Sequence, residues 1–229
     1  MRTRERLPIT VVSLRGTLET GTLACAEREL RECLAHMPAA LVIEGSELTV
    51  DPSAHPWLLG LAQSATRWPG TPVIVTGEHP DMPTDHALAT CPSLDSALMV
   101  LKAQPFPERR QLMLPPDPTS CGLARALVSD ACAEWGLRRP RRLAQLLISE
   151  LVANGVMHAG TQLKVTVRKT GDDLELSVRD HGAARMPTDR EMEDPHGFGL
   201  QLLAALSDDW GWSAAGRGTV VWTRLRGVP

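Results

Sequence analysis

Glu150, Asn154 and His158 recur at a spacing of four. On an α-helix that spacing lines them along one side. Around them Leu143, Leu146, Leu147, Ile148, Leu151, Val152, Val156 and Met157 cover most of the circumference, so a largely buried helix is expected over Arg139–His158. A carboxylate and an amide on such a helix are costly without partners, and asparagine is a poor mid-helix residue. Two readings are open. The pair sits on a narrow solvated edge or bonds to a neighbouring sheet, or it faces a polar ligand. In the second case Glu150 can orient or deprotonate a hydroxyl or water, and the Asn154 amide oxygen can ligate a hard cation such as Mg²⁺. His158, at the helix end, suits the last carbonyls.

A second carboxylate stands out further on. Leu174, Leu176 and Val178 alternate with Glu175, Ser177 and Arg179, the pattern of a strand with one core face and one wet face. Asp180 is in phase with the apolar set. Either it points to the core side and needs a donor, such as the exocyclic amine of a bound base, or the strand ends at Arg179 and Asp180 opens a turn. Gly182 beside it permits close backbone approach. Beyond a polar loop, Ala183 to His196, comes Gly197-Phe198-Gly199-Leu200 and then an amphipathic helix with Leu203, Ala204 and Leu206. Glycines before a helix present N–H groups at its positive end, which suits phosphate.

The elements that must position these groups divide into two sets. The first half alternates strand and helix: strands at Ile9–Leu14, Ala40–Ile43 and Thr71–Thr76, helices at Leu23–Leu34, Pro56–Arg67 and Ser93–Leu101. That order is the α/β signature. Ala103 to Arg110, with two prolines and a charge cluster, reads as the joint. After it come a strand at Gln111–Pro116, helices at Pro118–Trp135 and Arg139–His158, a hairpin around Thr170–Asp173, and closing strands at Trp210–Trp212 and Thr219–Thr223. This is an α+β sandwich pattern.

The bulk composition agrees with two domains. The chain has 229 residues, where single domains usually hold roughly 100–150. It is 43% hydrophobic and 22% charged with a net charge of −3. The arginines read as scattered and matched by acids, so no direct nucleic-acid contact is expected. No run reaches the ~20 apolar residues of a membrane span, and the basic start leads into a strand rather than a signal-peptide core. No membrane contact and a cytoplasmic location follow as expectations. Five cysteines without a CxxC pair argue against a disulfide framework or zinc site and read as reduced, mostly packed thiols.

In combination, the segment from Arg109 to Arg226 resembles the GHKL ATPase superfamily, most closely the bacterial anti-sigma-factor serine kinases. Ser149 to Ala159 looks like that family's N box, which implies a general-base role for Glu150 and Mg²⁺ binding by Asn154. Asp180-His181-Gly182 looks like the next box, whose aspartate binds the adenine amine. Ala184 stands where that box usually has a further glycine. Gly197, Gly199 and Leu200 look like the motif that closes the ATP lid over the phosphates, and Thr219 like the closing-strand threonine that helps hold the adenine. The first half resembles a STAS domain, the anti-sigma-factor antagonist fold. Leu14–Glu19 looks like its opening strand and turn, and Asp51-Pro52-Ser53-Ala54 like its phosphoacceptor loop, with Ser53 at the acceptor position and Pro52 and Ala54 as departures.

The resemblance implies a STAS-like α/β domain over 1–104, a mixed sheet with helices, followed by a two-layer α+β ATP-binding domain over 109–229. It implies ATP and Mg²⁺ as cofactors, and as partners a sigma factor, a STAS-domain antagonist, or both. The function expected is a protein serine kinase and anti-sigma factor of a partner-switching system. The alternative is a non-catalytic ATP-binding or protein-binding module, regulated through contact with its own STAS-like half. A homodimer stays open. A hydrolase using His158 or Ser149 has no supporting motif, since nucleophile elbow, HExxH and P-loop are lacking.

Overall fold

The computed structural model describes residues 9–79, 81–83, 85–182, 198–215 and 218–227. The chain divides into two compact units, Met1–Phe106 and Pro107–Pro229. No described helix is long and apolar enough to cross a membrane.

The first unit is built on strands β1 (Ile9–Leu18), β2 (Ala40–Val50), β3 (Val73–Thr76) and β4 (Leu88–Cys91). Helices α1 (Leu23–Ala35), α2 (His55–Arg67) and α3 (Leu94–Lys102) accompany them. The sheet order is β1-β2-β3-β4. Leu41, Val42 and Ile43 are wholly buried, as a parallel strand covered on both faces requires. Leu41 and Ile43 pack with Leu30 of α1 and Leu58 of α2, while Ala40 and Val42 pack with Ala97 and Leu101 of α3. Ser93 starts α3 with a capping box to Ser96, which satisfies two exposed N–H groups.

This sheet corrects three expectations. A mixed sheet was expected, yet every described strand pair is parallel, because α1 rather than a hairpin joins β1 to β2. β1 and β2 both outrun the short apolar runs, and after a register shift between Ser13 and Arg15 they stay paired to Leu18 and Val50. Glu44–Glu47, beyond the expected strand end at Ile43, are strand. β4 was not expected at all.

The second unit has strands β5 (Glu108–Leu114), β6 (Leu163–Thr170), β7 (Asp173–Arg179), β8 (Asp209–Ala215) and β9 (Gly218–Leu225). Its helices are α4 (Ser120–Glu134), α5 (Arg141–Ala159) and α6 (Phe198–Leu206). The sheet is antiparallel in the order β5-β6-β7-β9-β8. One core joins α4, α5 and Leu203 of α6 to Leu163, Val165, Val167, Leu174, Leu176 and Val178 of the sheet. Glu108–Arg110, placed in the joint by sequence, are already strand.

Two further expectations are corrected here. α5 is not buried all round. Its buried residues are Ala144, Leu147, Ile148, Leu151 and Val152, a single stripe at helical spacing, while Leu146 and Met157 are 42% and 69% exposed. Nor is the second sheet face wet. Thr166, Arg168, Glu175, Ser177 and Arg179 are all buried. Cross-strand register sets Arg109, Arg168, Glu175, Arg224 and Asp209 in one row across five strands. Arg224 places Nε and Nη2 at 3.0 and 2.7 Å from one Glu175 oxygen, and Arg168 lies 3.8 Å from the other. Burial pushes the Glu175 carboxyl up, with the two guanidiniums pulling it back. The same burial lowers Arg168.

Candidate functional site

α5 delivers the first pair. Each fully buried leucine stabilises by about 1.5–3 kcal/mol, so Leu147 and Leu151 fix which way the helix faces. Glu150 and Asn154 then fall at the flank of the stripe, half-buried. Neither side chain makes a hydrogen bond or ion pair among the described residues. Gly155 brings the helix close to β6, since a Cβ there would come within 2.9 Å of Leu163. His158 is exposed two residues before the left-handed Gly160 that ends the helix. Ser149 is occupied structurally: its hydroxyl donates to the Gln145 carbonyl and accepts from Arg125 of α4.

Asp180 follows directly on β7, half-buried where the strand ends. Its N–H donates to the Thr219 carbonyl at 3.0 Å. One carboxylate oxygen, Oδ1, accepts the Gly182 N–H at 2.9 Å and the Thr219 N–H at 3.2 Å. The carboxylate therefore closes a turn, and it does so while tying β7 to the start of β9. Its other oxygen has no hydrogen bond among the described residues.

Three elements meet at this point. The nearest atom to a Cβ on Gly182 would be the Ala159 carbonyl of α5 at 3.4 Å. His181 N–H donates to the Thr161 hydroxyl in the α5–β6 connection. Gly218 lies so close that a Cβ would stand 1.9 Å from the Asp180 carbonyl. Asp180, Gly182 and Thr219 are thus brought together at the C-terminal end of α5, the helix that carries Asn154 and Glu150. Gly218, not singled out from sequence, is what lets β9 approach; only its place in a Gly-Thr pair hinted at this. Gly199 and Leu200 fall in the first turn of α6. Gly197, Ala184 and the rest of the loop lie outside the described residues.

In the first unit Ser53 is exposed on a short 3-10 turn, Pro52–Ala54, that runs into α2. Asp51 caps the turn by accepting the Ser53 N–H at 2.9 Å, and the Ser53 hydroxyl, then its N–H, hold the Asp51 carboxyl below its usual range. Thr20 donates to the Ser53 hydroxyl at 3.4 Å. Both departures from the expected loop have a local reason. Pro52 takes the first position of the turn, where no N–H is needed. Ala54 is wholly buried in the core beneath α2, so its methyl packs there. Of the cysteines, Cys25 is exposed and Cys132 buried, and burial raises the Cys132 thiol.

Comparison with known proteins adds to this geometry. Residues 114–225 match the family profile of the histidine kinase-like ATPase domain, so that segment carries a domain of this kind. Among solved structures, the chain is similar to the RsbU and RsbW domains of a Mycobacterium tuberculosis protein at 20% identity and a TM-score of 0.41, over 52% of this chain and 32% of that one. It is similar to the Acinetobacter baumannii histidine kinase AdeS at 14% identity and a TM-score of 0.35, over 59% and 76%. The chain spans about a third of the first of these. No curated protein matches it.

Proposed function

We propose, from the premise that residues 114–225 carry a histidine kinase-like ATPase domain, that this unit binds ATP with Mg²⁺ and phosphorylates a serine on a partner in a sigma-factor partner-switching system. The observation that carries the reading is the Asp180 carboxylate. Two backbone N–H groups hold one of its oxygens and so aim the other, which suits the exocyclic amine of adenine. Gly182 and Thr219 flank that position, and Gly197, Gly199 and Leu200 would cover the phosphates. Mg²⁺ would supply charge neutralisation on the phosphates, with the Asn154 amide oxygen as its protein ligand. Glu150, without a protein partner among the described residues, takes the proton of the acceptor hydroxyl. A bond forms from that oxygen to the γ-phosphorus, the bond to the β-phosphate oxygen breaks, and ADP leaves.

The first unit is read as the STAS-like half, with Ser53 as a phosphoacceptor. A phosphate there would sit at the start of α2, favoured by the helix dipole and repelled by Asp51.

Calorimetry on the full chain tests the site. Asp180→Asn is expected to weaken MgATP by roughly 10- to 100-fold, the worth of one charge-assisted hydrogen bond. An unchanged affinity would sink the assignment. Glu150→Ala is expected to keep ATP binding and to lower transfer of the γ-phosphate to a STAS-domain antagonist about 100-fold or more. Tight ATP binding with no transfer by the wild type would instead leave a non-catalytic binding module.

A further inference from the structure

Arg138-Arg139-Pro140-Arg141-Arg142 places four arginines within five residues at the entry of α5. All four are exposed. They are neither scattered nor matched by acids, as the composition had suggested: among the described residues none of them makes an ion pair. Their position is electrostatically adverse. The first turn of α5 holds no acidic residue and no side-chain cap, so Arg141 and Arg142 add positive charge to the positive end of a 19-residue helix, the end that favours anions.

Beside this cluster lies a cleft of about 440 Å³, formed by the entry of α5, the exit of α6 and the end of β9. Its apolar wall includes Leu143, Leu206 and Leu225, and Leu206 is 38% exposed. Arg139 and Arg226 stand at its sides. Asp208 also lines it, but one of its oxygens accepts the Arg226 N–H at 2.8 Å. At 1.5 Å per residue the cleft is about 27 Å along α5 from the Ala159 end, so it is separate from the Asp180 site.

We infer that this cleft is a docking site for an acidic protein segment that carries an apolar anchor residue. The charge names the sign of the partner, and the leucines name the anchor. Guanidiniums flanking an apolar wall match carboxylates on either side of a leucine or similar side chain. A nucleic acid is the poorer fit. It asks for a basic track along which phosphates run, whereas here Arg139 and Arg226 flank a small cleft with leucines and Asp208 in its wall.

Fluorescence anisotropy on the full chain tests this, without nucleotide. The probes are a short fluorescein-labelled peptide of glutamates around one central leucine, the same peptide with serine for leucine, and a labelled DNA duplex. The leucine peptide is expected to bind, to bind at least several-fold tighter than the serine peptide, and to weaken with added salt. Arg139→Gln with Arg226→Gln is expected to weaken it roughly tenfold. Arg141→Glu with Arg142→Glu should abolish binding while Tm holds or rises, since like charge leaves the positive helix end. Absence of binding, equal affinity for the serine peptide, or tighter binding of the duplex each overturns the inference. The two peptides are compared on the wild type, so that arm stands whether or not a variant folds. ATP affinity is untouched by any of these outcomes.

Discussion

At the scale of single residues, the site depends on two glycines with opposite tolerances. A Cβ on Gly218 would meet backbone, the Asp180 carbonyl at 1.9 Å, and backbone cannot step aside without opening the β7–β9 pairing. Gly218→Ala is expected to cost about 3 kcal/mol or more and to lower ATP affinity with it, measured by denaturant melts and calorimetry. A Cβ on Gly155 would meet only the ends of the Leu163 side chain, which can turn. There the helical gain of alanine, about 1 kcal/mol, offsets the crowding, and Gly155→Ala should stay within about 1 kcal/mol of the wild type. Both glycines sit in recognisable motifs. Their difference was not legible, because it turns on contacts with residues far away in the chain. Asp180 stood out by phase alone; the strand ends at Arg179 and Asp180 opens a turn, with the N–H groups of Gly182 and Thr219 on its carboxylate.

At the scale of elements, what sequence periodicity reveals is the face that packs against helices. Leu174, Leu176 and Val178 were visible as a core face and are one. The opposite face was not visible as buried, since its lining of Arg168, Glu175, Ser177 and Arg179 has the composition of a solvated surface. Only cross-strand register brings Arg168, Glu175 and Arg224 side by side. Glu175 is the anion that two buried arginines share, so its removal takes a charge partner from each of them. Glu175→Gln is expected to destabilise the unit by about 3–5 kcal/mol, read from the shift of its urea midpoint. β4 escaped for another reason: Leu88–Cys91 is only four residues long, too short to show a period of its own, and it is recognised by its pairing to β3.

At the scale of the whole molecule, each unit carries its own apolar core: two clusters on opposite sides of the parallel sheet in the first, one between helices and antiparallel sheet in the second. The change from alternating strand and helix to helices followed by strands was legible in sequence because it is a change of period, which needs no long-range information. The link between α3 and β5, residues 103–107, is mostly exposed. Limited proteolysis is expected to cut there and to yield fragments that keep their secondary structure, read by mass spectrometry and circular dichroism. Fragments that lose it would show that neither core suffices alone.

The Asp180 carboxylate has a consequence for exchange with solvent. One oxygen shelters the amide hydrogens of both Gly182 and Thr219, so the two amides share a single guard although 37 positions separate them in the chain. Whatever pulls on Asp180 must loosen or tighten both together, and a contact made at the free oxygen is thereby transmitted to the pairing of β7 with β9 as a paired change in amide protection.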